Sequence, residues 1–189
     1  MTQREYSTGI SNCHYAVRLA YEQVGALGKL PGAVKLSNKS SSENRSFTVR
    51  DGSRVYQHTS ARKTKERPMT LEIIGLTKDF LVDVLGWTLN EDGSLTEGVH
   101  PDVHISLFYE TENGGRPVRH WLYDCVVGEP SFDASTIAET PNVDTYTLDI
   151  IKNPDPYRNG DYSRKIARAD NAELFDSWFG LKQNGIEQV

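Results

Sequence analysis

The sequence predicts a mainly β (α+β) protein, a β-sandwich or barrel with a flanking α-helix. Three segments, residues 12–21, 69–73 and 143–151, alternate between polar and apolar side chains, which is the two-residue period of a half-buried strand. Turn signals such as Asp51-Gly52 and the glycine pair at 114–115 lie between extended segments and are typical of β-hairpins. Only two short segments have the apolar repeat of a helix.

Length and composition indicate one globular domain that spans residues 1–189. No apolar run approaches the roughly 20 residues of a membrane-spanning helix. Residues 1–9 are polar and contain no apolar core of a secretory signal. Cys13 and Cys125 have neither metal-binding nor redox spacing. We therefore expect two buried, unpaired thiols in a protein made in a reducing cytoplasm.

The net charge of −5 is distributed unevenly along the chain. Residues 39–67 contain eight basic and three acidic side chains, whereas the rest of the chain contains 13 basic and 23 acidic ones. Such asymmetry indicates a basic segment that binds an anionic ligand, nucleic acid or the acidic surface of another copy. We favour the last interpretation because it requires no partner other than the protein itself.

The chain begins with two predicted strands. Pro31-Gly32 marks a turn between them, and residues 33–37 start the second. In the first strand, one face carries Cys13, Tyr15, Val17, Leu19 and Tyr21, and the other carries His14, Ala16, Arg18 and Ala20.

Residues 38–68, which we call the arm, are expected to form a long, projecting β-hairpin that turns at Arg50-Asp51-Gly52-Ser53. The arm is rich in strand-forming residues but has too few apolar side chains to bury a face within its own subunit. Its apolar partner is therefore expected on another subunit. The residues predicted to contact that subunit are the apolar anchors Phe47, Val49, Val55 and Tyr56, together with Arg50, Asp51, Gly52, Arg54, Arg62, Lys63, Lys65 and Arg67.

The clearest helix follows the strand at 69–73. Thr77 is its predicted N-cap, Asp79 lies in the first turn where the helix dipole favours an acid, and Gly86 ends it. Such a short amphipathic helix closes one open side of a sandwich or barrel. Its apolar stripe consists of Phe80, Leu81, Val84 and Leu85, with Leu76 stapled onto Leu81.

Two further strands, 104–109 and 119–127, are expected to pair through a turn at 112–115. Pro154 and Pro156 end the strand at 143–151, and residues 157–168 are polar and expected to be mobile. The C-terminal extension, 153–189, contains a second short helix capped by Asp170 and closed by Gly180. This helix carries Leu174, Phe175, Trp178 and Phe179.

No motif for catalysis, metal binding or cofactor binding is recognisable. His100 and His104 have the spacing of two helical metal ligands, but Pro101 argues against a helix there. A Cys125/His120 pair remains conceivable for a hydrolase, although Cys125 has the setting of a packed strand residue. Phosphate-binding glycine motifs are lacking. We expect no metal, no cofactor and no enzymatic activity.

Three interpretations compete for the basic run of Arg62, Lys63, Lys65 and Arg67: nucleic-acid binding, a solvated charged face, and contact with an acidic protein surface. Nucleic-acid binders combine a basic balance with interleaved aromatic residues. This chain is acidic and Tyr56 is the only aromatic residue nearby, so the third interpretation is preferred.

An alternative function is a β-sandwich binding module for carbohydrate or a host-surface ligand. Trp87, Trp121 and Trp178 could supply stacking platforms. However, Trp87 lies at a helix end and Trp178 on an apolar helix stripe, which are core positions.

In order and content, several segments between residues 11 and 150 resemble the major tail proteins (tail tube proteins) of long, non-contractile-tailed bacteriophages, the phi13-type family. None of these segments is a catalytic signature, so the resemblance concerns architecture. The segments are residues 11–16, SNCHYA; 31–36, PGAVKL; 71–81, LEIIGLTKDFL, with Leu85-Gly86; 106–110, SLFYE; 119–123, RHWLY; 139–141, ETP; and 145–148, TYTL.

The resemblance implies a sandwich or barrel core of the tail-tube type. It also implies six-membered rings that stack into a hollow tube, with the arm reaching the next ring. DNA would pass through the lumen without specific binding, and other tail proteins, such as the tape measure and tail terminator, would be partners. The protein would be located in the virion tail and assembled in the host cytoplasm. Residues 48–56 are more basic here than the corresponding stretch in the family.

Overall fold

A computed structural model describes residues 7–20, 23–38, 42–51, 54–63, 67–132 and 145–179, with backbone and register alone for the strands of 42–63. The strands are β1 (Ser7–Ala20), β2 (Gln23–Val24), β3 (Gly28–Lys29), β4 (Ala33–Asn38), β5 (Ser42–Asp51), β6 (Arg54–Lys63), β7 (Arg67–Ile73), β8 (Thr88–Leu89), β9 (Leu95–Thr96), β10 (His104–Asn113), β11 (Arg116–Val127), β12 (Ser131–Phe132), β13 (Tyr146–Asn153) and β14 (Ser163–Ala167). The helices are α1 (Lys78–Asp83) and α2 (Ala172–Asp176), with a 3-10 turn at Pro156–Arg158.

The protein is mainly β, as the sequence predicts. Within the described residues, ten strands form one antiparallel sheet with the main order β2-β1-β10-β11-β13-β7-β4. The strand β11 is shared: its first half pairs with β14 and its second half with β13. The predicted hairpin of β10 and β11 is confirmed, and its two-residue turn is possible because Gly114 and Gly115 both have positive φ.

The large sheet is rolled so that its ends meet. The short strand β3 pairs with β1 at His14 and Tyr15, the chain turns at Pro31-Gly32, and β4 then pairs with β7 while lying beside β1. This connection brings the two ends of the strand order together, and we call the rolled sheet the barrel; within the described residues no backbone ladder joins β4 to β1.

The barrel interior is the main core. Alternate residues of five strands point inward, as the two-residue period requires, and Met69, Leu71 and Ile73 of β7 are all buried as predicted. Helix α1 closes the interior with Phe80, Val84 and Leu85. Thr77 is its N-cap, accepting a hydrogen bond from the amide of Phe80, which confirms that prediction.

A second core covers the outer face of the same sheet. Helix α2 and strand β14 pack on residues of β1, β10 and β11 that point away from the barrel interior. As a result β1, predicted to be half buried, is covered on both faces between Cys13 and Ala16. The members of this outer core are Ala16, Val24, Phe108, Trp121, Tyr123, Ile166, Phe175 and Trp178.

Two expectations for the C-terminal extension are corrected. Residues 157–168, expected to be mobile, include the strand β14 at 163–167, whose backbone pairs with β11. The N-cap of α2 is Asn171 rather than Asp170, since the Asn171 side chain accepts a hydrogen bond from the Leu174 amide at 2.9 Å. The apolar positions of this helix are as predicted, with Phe175 and Trp178 buried.

Both cysteines are buried, unpaired thiols, as expected. Cys13 lies on β1 and Cys125 on β11. Among the described residues, no helix is both long and apolar enough to cross a membrane.

Candidate assembly surface

The arm is a separate two-stranded sheet. Strands β5 and β6 pair along their whole length, from Ser42 opposite Lys63 to Asp51 opposite Arg54, and neither belongs to the large sheet. The chain leaves the barrel after β4 and returns to it at β7, and β4 and β7 are themselves paired. The hairpin prediction is therefore confirmed for the backbone, and the arm emerges between two neighbouring barrel strands.

The register gives the two faces of the arm different compositions. Residues opposite one another, and residues two apart, share a face of an antiparallel ladder. Phe47 is paired with His58 and Val49 with Tyr56, so three of the four predicted apolar anchors occupy positions on one face. Val55 is paired with Arg50 and takes a position on the other face. The sequence alone did not show which anchors share a face, because the register of β5 with β6 depends on the number of residues in the turn.

Of the predicted contact residues, Gly52 and Lys65 lie outside the described residues. Arg67 lies at the start of β7, where its guanidinium stacks on the Tyr162 ring with the Cζ atom 3.8 Å from the ring centroid. Arg67 therefore contacts its own subunit. The remaining predicted residues lie on β5 and β6, and their contact with another copy stays a prediction.

A buried group of charges, which local spacing did not reveal, fixes the C-terminal extension to the barrel. Asp155 lies in a loop after β13, and its carboxylate is 3.2 Å from Arg18 Nη1 of β1 and 3.6 Å from Arg158 Nε. Arg18 also donates a hydrogen bond to the Tyr123 carbonyl at 3.0 Å. The Arg158 guanidinium lies over the Trp121 ring, 4.7 Å from its centroid. Both guanidinium groups are thereby neutralised or stacked, as buried charges require.

The two histidines considered as metal ligands, His100 and His104, lie in different settings. His104 Nδ1 lies 2.6 Å from the Asp124 carboxylate, and His100 is partly buried in the loop before β10. Within the described part of the chain, no group of three or more His, Cys, Asp or Glu side chains could hold a metal ion.

The thiol considered as a nucleophile is inaccessible. Cys125 is completely buried, and burial raises the pKa of its thiol far above the ordinary range, so the thiolate does not form near neutral pH. Burial also lowers the pKa of His120 to about 4, so His120 is neutral near pH 7. Its Nε2 lies 2.9 Å from the Thr111 hydroxyl, and its ring stacks on Tyr109.

The tryptophans considered as sugar platforms are largely core residues. Trp121 and Trp178 are buried and Trp87 packs on the main core. An open depression of about 260 Å³ lies where β1 meets β3 and β4, lined by residues 11–14 and 29–33, with His14 as the only ring other than proline. This lining lacks the exposed aromatic face on which a sugar ring would stack.

No protein-family model matches the sequence, and no curated protein matches it. Among solved structures, a chain of the anti-feeding prophage baseplate has a TM-score of 0.47 at 12% identity, covering 88% of this chain and 97% of that one. A chain of the anti-feeding prophage tube-terminating cap has a TM-score of 0.40 at 13% identity, covering 80% of this chain and 87% of that one. Both TM-scores are below 0.5, too low to assign a family or a function to this chain.

Proposed function

We propose that this protein is a structural subunit of a bacteriophage tail, and more specifically that it assembles into stacked six-membered rings forming the hollow tail tube. The arm is the observation that carries the proposal. It is a two-stranded ladder of ten residues per strand that belongs to no larger sheet among the described residues. An isolated two-stranded hairpin is marginally stable in water, so a second surface is required to stabilise it.

The composition of the arm favours another subunit as that surface. One face of the ladder carries the positions of Phe47, Val49 and Tyr56, and the arm has an excess of basic residues while the rest of the chain has an excess of acidic ones. Apolar burial and opposite charges would therefore act together when the arm of one copy binds the body of another. Many copies linked in this way form a continuous assembly.

The barrel supports a structural rather than a catalytic role. Its interior and the part of its outer face formed by β1, β10 and β11 are covered by side chains of the same subunit, and Cys125, the thiol most readily proposed as a nucleophile, is buried and protonated. A body packed on both sides is rigid, which suits a unit repeated many times in a tube.

The charge of the body suits a conduit for DNA. Outside the arm the chain has ten more acidic than basic residues, and a negative wall repels the phosphate backbone and so prevents retention of the passing duplex. By the resemblance described above, the assembly would form in the host cytoplasm, join the tape measure and tail terminator, and remain in the tail of the virion.

Electron microscopy of the concentrated pure protein tests the proposal. We expect rings, or hollow tubes with a fixed axial repeat. A variant lacking residues 45–62 keeps the arm pair nearest the barrel, Ser42 opposite Lys63. Glu43 and Asn44 then form a two-residue turn between them. This variant should fold with unchanged tryptophan fluorescence, since all three tryptophans lie outside the arm, but should not stack. Protein that stays monomeric at every concentration would contradict the function, and long tubes from the shortened variant would contradict the role of the arm.

A further inference from the structure

The segment between β7 and β10 forms an exposed acidic surface at one end of the barrel. Residues 77–102 contain six acidic side chains and one basic side chain, all of them exposed. We call this surface the acidic cap. It comprises α1, the small hairpin of β8 and β9, and the loop that leads to β10. Its charged residues are Lys78, Asp79, Asp83, Glu91, Asp92, Glu97 and Asp102.

The negative charge of the cap is not neutralised by the described part of the subunit. None of its carboxylates forms a salt bridge with another described residue. Asp83 accepts a hydrogen bond from the Tyr15 hydroxyl at 3.2 Å, and Asp92 accepts bonds from Ser94. The carboxylates are spread over the surface and form no metal-binding group within the described residues. Their arrangement is that of a contact surface rather than of a cation site.

Apolar side chains are exposed on the same surface. Val99 is 94% exposed and Leu89 is 53% exposed, although both lie in a segment whose other apolar residues, such as Trp87, pack on the core. Val99 lies within a loop held close to Gly86, where its carbonyl oxygen would be only 2.8 Å from a Cβ atom added to that glycine. The backbone at Val99 is therefore closely packed, while the side chain of Val99 is exposed to solvent. A surface that combines exposed apolar residues with carboxylates suits a partner that is both apolar and basic.

The arm and the cap are attached to opposite ends of one strand. The arm joins β7 at Arg67, and the chain enters the cap soon after Ile73, the last residue of β7. A seven-residue strand separates these two points by about 20 Å. A protein with complementary surfaces at its two ends associates head to tail, and such contacts between different surfaces generate open, repeating assemblies.

We infer that the acidic cap is the surface that receives the basic arm of a second copy of this chain, an inference that rests on the proposed function. The arm has five more basic than acidic residues, and the cap has five more acidic than basic ones. The arm face with Phe47, Val49 and Tyr56 also carries the positions of Arg45, Arg54 and Arg62. Glu43 lies opposite Arg62 and Asp51 opposite Arg54 on the same face, which therefore has three basic and two acidic residues. That face can cover Leu89 and Val99 while its guanidinium groups meet the carboxylates of the cap.

Charge reversal tests this pairing in the full-length protein. The cap variant combines Glu91→Lys, Glu97→Lys and Asp102→Lys, all at exposed residues that form no salt bridge with another described residue. We expect its critical concentration for stacking to rise by about tenfold or more, because several weak attractions become repulsions at once. Adding Arg45→Glu, Arg54→Glu and Arg62→Glu restores opposite charges between arm and cap, and should recover stacking. The measurement is the sedimentable fraction as a function of protein concentration.

A matched control changes net charge equally at a different site. Glu129→Lys, Asp161→Lys and Asp170→Lys are exposed positions outside the cap, and this variant should stack as the wild type does. If the cap variant stacks as readily as the control, the inference is wrong although the proposed function stands. If the wild type itself forms no rings or tubes, the proposed function is wrong.

Cross-linking of the wild type provides a second test that does not depend on the folding of variants. A carbodiimide joins lysines directly to neighbouring carboxylates, and tubes grown from a mixture of unlabelled and nitrogen-15-labelled protein distinguish links between copies from links within one. We expect mixed-isotope peptides that join Lys63 or Lys65 to carboxylates of residues 77–102. Links from these lysines only to their own copy, or only to carboxylates outside the cap, would overturn the inference.

Discussion

At the scale of single residues, the buried charges decide how the C-terminal extension is held. Asp155 is 2% exposed and is the only described carboxylate that lies within salt-bridge distance of both Arg18 and Arg158. Removing one member of a buried ion pair leaves the other charge unpaired. This costs more free energy than the intact pair contributes to stability. The extension therefore depends on a residue with no recognisable motif around it.

The variant Asp155→Ala should lower the free energy of unfolding by about 3–5 kcal/mol, because Arg158 loses its carboxylate partner and Arg18 keeps only the more distant Asp124, 3.9 Å from its Nη1. Urea unfolding followed by tryptophan fluorescence measures this change. The control Asp161→Ala removes an exposed carboxylate from the same loop and should change stability by about 0.5 kcal/mol or less. Equal effects of the two substitutions would show that burial of Asp155 is not the cause.

At the scale of elements, Gly86, which follows α1, fixes the position of the loop at residues 99–101 of the acidic cap. Gly86 has a φ of +74°, and a Cβ atom there would lie 2.5 Å from Pro101 Cδ and 2.8 Å from the Val99 carbonyl oxygen. Glycine is thus required twice, for its backbone conformation and for the close approach of the loop. The end of α1 and the position of residues 99–101 are linked through this contact.

The variant Gly86→Ala should be clearly less stable than Gly93→Ala, which serves as its control. Both glycines have positive φ, but a Cβ atom at Gly93 would meet nothing within 4 Å. The conformational cost of about 1–2 kcal/mol applies to both, whereas the overlap with Pro101 and Val99 adds about 1–3 kcal/mol only at Gly86. Thermal unfolding measures the difference, and equal melting temperatures would contradict the importance of the close contact.

At the scale of the whole molecule, the two ends of the barrel differ in charge and composition. The arm is basic and the acidic cap is its counterpart, and β7 joins the arm to the chain that forms the cap. Attraction between such surfaces is screened over about 10 Å at 0.1 M salt and about 3 Å at 1 M. The stacked assembly proposed here should therefore respond to ionic strength.

Tubes formed at low salt should shorten or dissociate as sodium chloride is raised to about 1 M, because screening weakens the contacts between arm and cap. Light scattering and sedimentation follow the change, and dilution back to low salt should reverse it. Circular dichroism at each salt concentration controls for unfolding of the barrel. Tubes that are equally stable at all salt concentrations would show that apolar burial alone holds the arm.

The sequence by itself determined the local features of this protein. Alternation assigned the inward residues of β7, Thr77 marked the start of α1, and the uneven charge identified the arm as a basic hairpin without an apolar partner. The helix ends at Asp83, three residues before the predicted stop at Gly86. These features follow from the strand period, from capping hydrogen bonds and from backbone conformations that only a few residues adopt. Each depends on neighbours in the chain, which a sequence displays directly.

Only the tertiary structure decided which distant residues meet. The closure of the barrel through β3 and β4, the pairing of β14 with β11, and the contact of Arg18 with Asp155 join segments far apart in the chain. Residues 157–168 were expected to be mobile because they are polar. A strand that buries only one side chain needs few apolar residues, and in β14 only Ile166 is buried. Long-range strand pairing sets these contacts, and no local pattern specifies which strands will pair.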